Sequence, residues 1–192
     1  MNYLAHIFLS GTDGRLQVGN FIGDFVKGSR LNNYPTRIKA GIRLHREIDH
    51  FTDSHEVVRE TVAFLRPTFG RYSAIVADMY FDYFLAVDFV IYSPDRSLKR
   101  FSRRFYFSVL IHYFYLPERV RGFIFHFVFT NRLTAYSTLD GLRESLQIMA
   151  RYKILALDPD GIIAFLYDNH DELQKRFHLF FPAVLEFVES RK

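Results

Sequence analysis

Residues Phe101–Phe129 read FSRRFYFSVLIHYFYLPERVRGFIFHFVF, and the fold class turns on them. Their aromatic and β-branched density suits strands as well as helices. Strands, however, alternate with period two, and hairpins need a short turn such as Asn-Gly or Asp-Gly. The stretch has neither, and its proline-centred break is Leu116-Pro117-Glu118. We therefore read it as buried helices. The remaining chain agrees. Ile38, Ile42 and Ile48 recur at helical spacing, as do Val57, Val58, Val62 and Leu65; Leu142, Leu146 and Met149; and Phe177, Phe180, Phe181 and Val184. The prediction is an all-α bundle of about seven to nine helices. Thr52 or Asp53 would cap a helix beginning near His55, and Ser93 or Asp95 another.

The 192 residues contain no repeat, low-complexity tract or linker-like stretch, so one domain spanning 1–192 is expected. A 49% hydrophobic fraction excludes a disordered chain, and Phe 22 with Tyr 12 and no Trp gives a core of single-ring aromatics. Cysteine is absent, which excludes disulfides, thiolate metal sites and cysteine nucleophiles. Any metal must then be held by His, carboxylate or amide groups. A formal charge of +4 permits an acidic partner without requiring one. The longest greasy run, Phe105–Pro117, is shorter than the about 20 residues a membrane span needs. Met1–His6 lacks the positive start of a signal peptide. A cytoplasmic protein is expected, with no membrane span and no nucleic-acid partner.

Chemistry-bearing residues recur four apart, the spacing that puts two side chains on one helix face. The pairs are Asn2 with His6, Asn20 with Asp24, His45 with Asp49, and Asp78 with Asp82, each in apolar surroundings. Two readings stand at this point. Each pair alone is commonly solvated or hydrogen-bonded structure. Four together, facing a core, would need a cation or mutual pairing to offset several kcal/mol of desolvation. His and carboxylate ligands without thiolate suit Mn²⁺ first, and Mg²⁺ or Fe²⁺ next. Such an ion typically polarises a phosphoryl oxygen and supplies hydroxide near neutral pH. Gly-x-Ser-x-Gly, P-loop and Gly-x-Gly-x-x-Gly signatures are all missing. The single His-Asp dipeptide, His170-Asp171, has no later Asp to complete an HD-type site and reads as surface.

The segments MNYLAHIFLS (1–10), GNFIGDFVKG (19–28), GIRLHREIDHFTDSH (41–55) and DMYFDYFL (78–85) resemble, in order, the motifs of the acyl carrier protein phosphodiesterase family. LQKRFHLFFP (173–182) resembles a weaker C-terminal element. The resemblance implies an all-helical fold akin to the HD phosphohydrolases and a Mn²⁺- or Mg²⁺-dependent phosphodiester hydrolase. Its implied substrate is holo acyl carrier protein, an acidic protein of fatty acid biosynthesis, from which 4′-phosphopantetheine is removed. Carried over by motif, Asp24, His45, Asp49 and Asp82 are the expected metal and catalytic residues. Asn2, His6, Asn20 and Asp78 would orient them. Within the His-rich stretch, His50, Asp53 and His55 read as capping or surface residues. Two positions depart from the family pattern: Tyr83 stands where a His is frequent, and Glu47 where an Arg is.

Lys27, Arg43 and Arg46 are candidate phosphate contacts. Arg96, Lys99, Arg100, Arg103, Arg104, Arg119 and Arg121 face only Asp95 and Glu118 between residues 93 and 121. We read Arg100, Arg103 and Arg104 as part of a docking surface for the acidic carrier; the alternative is that these cations simply solvate a helix. Two other functions fit the same residues: a metal phosphohydrolase of nucleotides or other small phosphodiesters, and a non-catalytic helical module that binds an acidic carrier protein.

Overall fold

SAIVADMYFDYFLAV, Ser73–Val87, is apolar on every face, and a helix of that kind belongs inside a core. In the computed structural model, which describes residues 1–153, 156 and 158–191, it is the central helix, with Met79, Tyr80, Phe81, Phe84 and Leu85 fully or almost fully buried. The described residues form twelve α-helices and contain no strand. They are α1 (Tyr3–Leu9), α2 (Gly14–Phe21), α3 (Thr36–Ser54), α4 (Glu56–Phe69), α5 (Ser73–Val87), α6 (Phe89–Tyr92), α7 (Leu98–Ile111), α8 (Glu118–Phe129), α9 (Arg132–Ala135), α10 (Leu139–Lys153), α11 (Pro159–Asp168) and α12 (His170–Glu189). Helices α1, α4 and α12 cover α5. Phe81 and Phe84 meet Phe177 of α12 with ring centres 5.8 and 6.0 Å apart, and Phe177 meets Phe181 at 5.0 Å. The single-ring core expected from composition is therefore an offset and edge-on aromatic lattice.

The stretch 101–129 is helical, as expected, with Pro117 at the start of α8. It is not buried throughout. Phe105, Val109, Val120 and Ile124 turn inward, whereas Phe107, Ile111, Phe114 and Phe129 are exposed. Helices α7 and α8 lie at the rim of the bundle, where only one face of each is covered. The expected caps also differ. Helix α3 runs on through Thr52 and Asp53 to Ser54, and the chain changes direction at His55, which is extended. Helix α7 is capped by Ser97, whose hydroxyl accepts from the Arg100 N–H, rather than by Ser93 or Asp95.

The closest packing is between α2 and α3, and glycines create it. A Cβ on Gly19 would run into the Ile38 carbonyl, and one on Gly41 into the Leu16 carbonyl. With both absent, the backbones touch and the C-terminal end of α2 lies over the middle of α3. This contact brings Asn20 to His45. No helix among the described residues is long and apolar enough to cross a membrane.

Candidate metal centre

Two histidines from different helices face one another: His6 of α1 and His45 of α3, their rings stacked with centres 4.0 Å apart. Both are buried. Their Nδ1 atoms share one acceptor, Asn20 Oδ1, at 2.9 and 3.2 Å. The orientation of that amide is fixed from its other end, because Asn20 Nδ2 donates to Ser10 Oγ, which itself donates to the His6 carbonyl. An oxygen facing both rings requires that both Nδ1 atoms carry protons. Each Nε2 is then the atom left to face the carboxylates.

Those carboxylates are Asp49 and Asp24. Asp49 Oδ1 lies 3.0 Å from His6 Nε2, and Asp49 Oδ2 lies 3.2 Å from His45 Nε2. Asp24 Oδ1 is also 3.2 Å from His45 Nε2. Asp24 sits on the 3-10 turn Gly23–Phe25, not on α2, so its spacing from Asn20 is met by a turn. Gly23 makes the turn fit, since a Cβ there would collide with the His45 ring.

The electrostatics of the pair are unequal. Burial alone would lower the pKa of His45, but its contacts with Asp24 and Asp49 win and raise it to about 9. Burial of His6 dominates over its contact with Asp49 and pushes it down to about 4. Burial would raise Asp49, yet the two histidines hold its carboxyl well below the usual range. At neutral pH His45 is thus a cation and His6 is neutral. A neutral His6 with its proton on Nδ1 leaves an unshared lone pair on Nε2, with Asp49 Oδ1 beside it at 3.0 Å. That nitrogen is buried and has no partner in hydrogen-bonding geometry. A cation bound by both would offset the repulsion between two electron-rich atoms held so close. His6, His45 and Asp49 each offer a ligand atom within 4.8 Å of one another, and the N₂O donor set suits a borderline divalent ion.

The other expected site residues lie at or just outside this centre. Asn2 caps α1, its Oδ1 accepting from the Tyr3 N–H, and its Nδ2 donates to Met79 Sδ at 2.7 Å. Asp78 Oδ1 is 3.1 Å from the Met1 amine nitrogen, which is also 3.8 Å from Asp49. Asp82, expected among the ligands, is fully buried beneath α1 and accepts from the Leu4 and Ala5 N–H groups at 2.8 and 3.1 Å. The residue whose ligand-capable atom groups with those of His45 and Asp49 is instead His6, expected in an orienting role. Of the departures from the family pattern, Tyr83 packs on Phe84 and His170, away from the centre, and Glu47 is exposed. His50 and Asp53 are exposed, and His55 packs on Phe51 and Phe180. His170 and Asp171 stand at the start of α12, the latter fully exposed.

A cleft of about 290 Å³ opens from the cluster. It is lined by Phe21, Phe25, Phe123 and Phe127, whose rings pack on one another, and by Ile148 and Met149 of α10. Asp24, His6 and His45 lie at its polar end. Lys27, Arg43 and Arg46 do not line it, and Arg46 is engaged with the Val26 carbonyl at 2.8 Å. The arginines on its wall are Arg119 and Arg132, neither of them among the expected phosphate contacts.

The sequence profile described as acyl carrier protein phosphodiesterase matches residues 1–184. Relatives bearing that name align along their whole length. One from Enterobacter sp. (strain 638) is 31% identical over 197 residues, covering all of both chains. One from Yersinia pestis is 29% identical over 194 residues, again covering both fully. A third, from Photorhabdus laumondii, is 27% identical over 191 residues, spanning all of this chain and 96% of the relative. No solved structure matches.

Proposed function

The chain belongs to the acyl carrier protein phosphodiesterase family, and from that premise we propose that it removes 4′-phosphopantetheine from holo acyl carrier protein by divalent-metal-assisted hydrolysis in the cytosol. The observation that supports the metal is the buried His6 Nε2, which faces the Asp49 carboxylate with no hydrogen-bond partner. His6, His45 and Asp49 would hold the ion, with Asp24 beside His45. When bound, a divalent ion there would polarise the phosphoryl oxygens and make water nucleophilic near neutral pH.

The chain's own residues have separable roles. Asn20 fixes the tautomer of both histidines and hence the direction of both Nε2 atoms. Asp49 reaches both rings through its two oxygens. Asp24 is the most exposed of the set, its side chain 68% accessible, and stands where the cluster meets the cleft. The phenylalanine walls reduce water around the phosphodiester, which strengthens its attraction to cationic groups. Outside the cleft, Lys99, Arg100, Arg103 and Arg104 are exposed along α7. We assign this surface to docking of the acidic carrier. Arg100→Glu, Arg103→Glu and Arg104→Glu together should raise KM for holo carrier at low ionic strength while leaving a small phosphodiester unaffected. Equal losses on both substrates would remove the docking role.

Metal binding itself gives a direct test. Below about pH 9 His45 carries a proton that an incoming ion must displace, whereas His6 above about pH 4 has none to lose at Nε2. Mn²⁺ titrated near pH 7.5 should therefore release about one proton, read as an apparent enthalpy that varies with buffer ionisation heat. The release should fade as the pH rises through about 9. The same preparation should convert holo carrier to the apo form only when Mn²⁺ or Mg²⁺ is present. Turnover in excess chelator would overturn the metal reading; turnover of nucleotides but not of holo carrier would overturn the substrate.

A further inference from the structure

Helix α8 presents Arg119, Gly122, Phe123, His126 and Phe127 to the cleft, a single helical stripe at spacings of three and four. Two members are unexplained by packing. Arg119 has no carboxylate partner among the described residues; its guanidinium rests over the Phe25 ring, 6.0 Å from the centre. Arg132, the other cation of the cleft, is by contrast neutralised by Glu144 at 3.0 Å and bonded to Ser145 Oγ at 3.2 Å. Gly122 lies within the helix, where glycine is less favourable than alanine. Nothing lies within 4 Å of where its Cβ would be, unlike Gly19, Gly23 and Gly41, whose missing side chains admit a neighbouring element. No protein atom uses the space that Gly122 leaves open.

We propose that this face of α8 seats the phosphate-bearing arm of the substrate: Arg119 takes the phosphate, and the open strip over Gly122 takes the extended chain that follows it. The inference rests on the phosphodiesterase reading and names where that substrate lies. The chemistry of the stripe supports it from one end to the other. A free guanidinium recognises phosphate through paired N–H donors. One turn on, the missing side chain allows a slender chain to pass close to the helix. Phe123 and Phe127 then offer apolar surface for its methyl and methylene groups. A cleft of about 290 Å³ is near the lower end for ligand sites, which favours a narrow ligand over a bulky one.

Free 4′-phosphopantetheine and inorganic phosphate are the probes, titrated into the metal-free full chain so that binding is read apart from turnover. Gly122→Ala should raise the melting temperature, by about 2–4 °C, because the helix gains and nothing clashes. It should nevertheless weaken 4′-phosphopantetheine about tenfold and leave phosphate unchanged. Arg119→Gln should weaken both ligands. With Mn²⁺ present, Gly122→Ala should lower kcat/KM for holo carrier. A Gly122→Ala protein that binds 4′-phosphopantetheine as the wild type does would overturn the arm's path, and an Arg119→Gln protein that keeps its phosphate affinity would overturn the anchor. Either result can occur while holo carrier is still hydrolysed, so failure here is separable from failure of the proposed reaction.

Discussion

His45→Ala is expected to reduce Mn²⁺-dependent hydrolysis by about 10²–10⁴-fold while leaving the helical circular dichroism nearly unchanged. His45 touches Asn20, Asp24 and Asp49 together. Its loss removes a nitrogen ligand and leaves two carboxylates without the cation that gathers them in the metal-free protein. Asp24 and Asp49 are both partly exposed, so water screens much of the resulting repulsion, and the stability cost should be of the order of 1–2 kcal/mol. The pH dependence carries a separate signature. The folded pKa of about 9 lies above the ordinary 6.5, so the stability that His45 contributes is complete below pH 6.5 and disappears as pH rises through about 9. In the variant that alkaline slope should be absent from urea midpoints measured without metal. Near-normal turnover, or an unchanged Mn²⁺ affinity, would remove His45 from the centre.

The residues of the centre were legible in the sequence because helical spacing and apolar surroundings singled them out before any geometry was known. His45 and Asp49 share a face of a long amphipathic helix, and that periodicity is what a linear reading captures best. Asp24 was selected by its distance from Asn20 along a helix that in fact ends at Phe21; the 3-10 turn that follows happens to keep it on the same side. The role of His6 was harder to read. Which of two nearby polar residues faces His45 and Asp49 depends on the angle at which α1 crosses α3, and no local pattern encodes a crossing angle. The glycines at 19, 23 and 41 determine that approach, yet a glycine on a helix gives no sign of whether it admits a neighbour, as these do, or opens a cleft, as Gly122 does. The cations of the cleft are hard to find from sequence for a related reason. Lys27, Arg43 and Arg46 are near the motifs in sequence, whereas Arg119 reaches the cleft from a helix outside every motif.

Asp82→Ala should be the most damaging substitution for folding. A helix leaves its first N–H groups unpaired, and α1 is too short for its own hydrogen bonds to offset two buried orphans. Asn2 serves the Tyr3 N–H, and Asp82, reaching up from α5, serves Leu4 and Ala5. Burial raises the Asp82 carboxyl to about 7 even though both N–H groups favour its charged form. Removing the carboxyl should cost about 2–6 kcal/mol, from two unsatisfied donors at about 1–3 kcal/mol each, lower the urea midpoint, and loosen the helix that carries His6. Asp82→Asn keeps one acceptor but turns an amide donor toward the other N–H, so an intermediate loss is expected. The measurement that separates a cap from a ligand is Mn²⁺ affinity per folded molecule. If Asp82 acts by holding α1, Asp82→Asn assayed well below its midpoint should bind Mn²⁺ within about tenfold of wild type, as expected for a residue acting through a ligand, whereas Asp49→Asn should bind far more weakly with little change in midpoint. The opposite order would return Asp82 to the ion and make the contacts to Leu4 and Ala5 secondary.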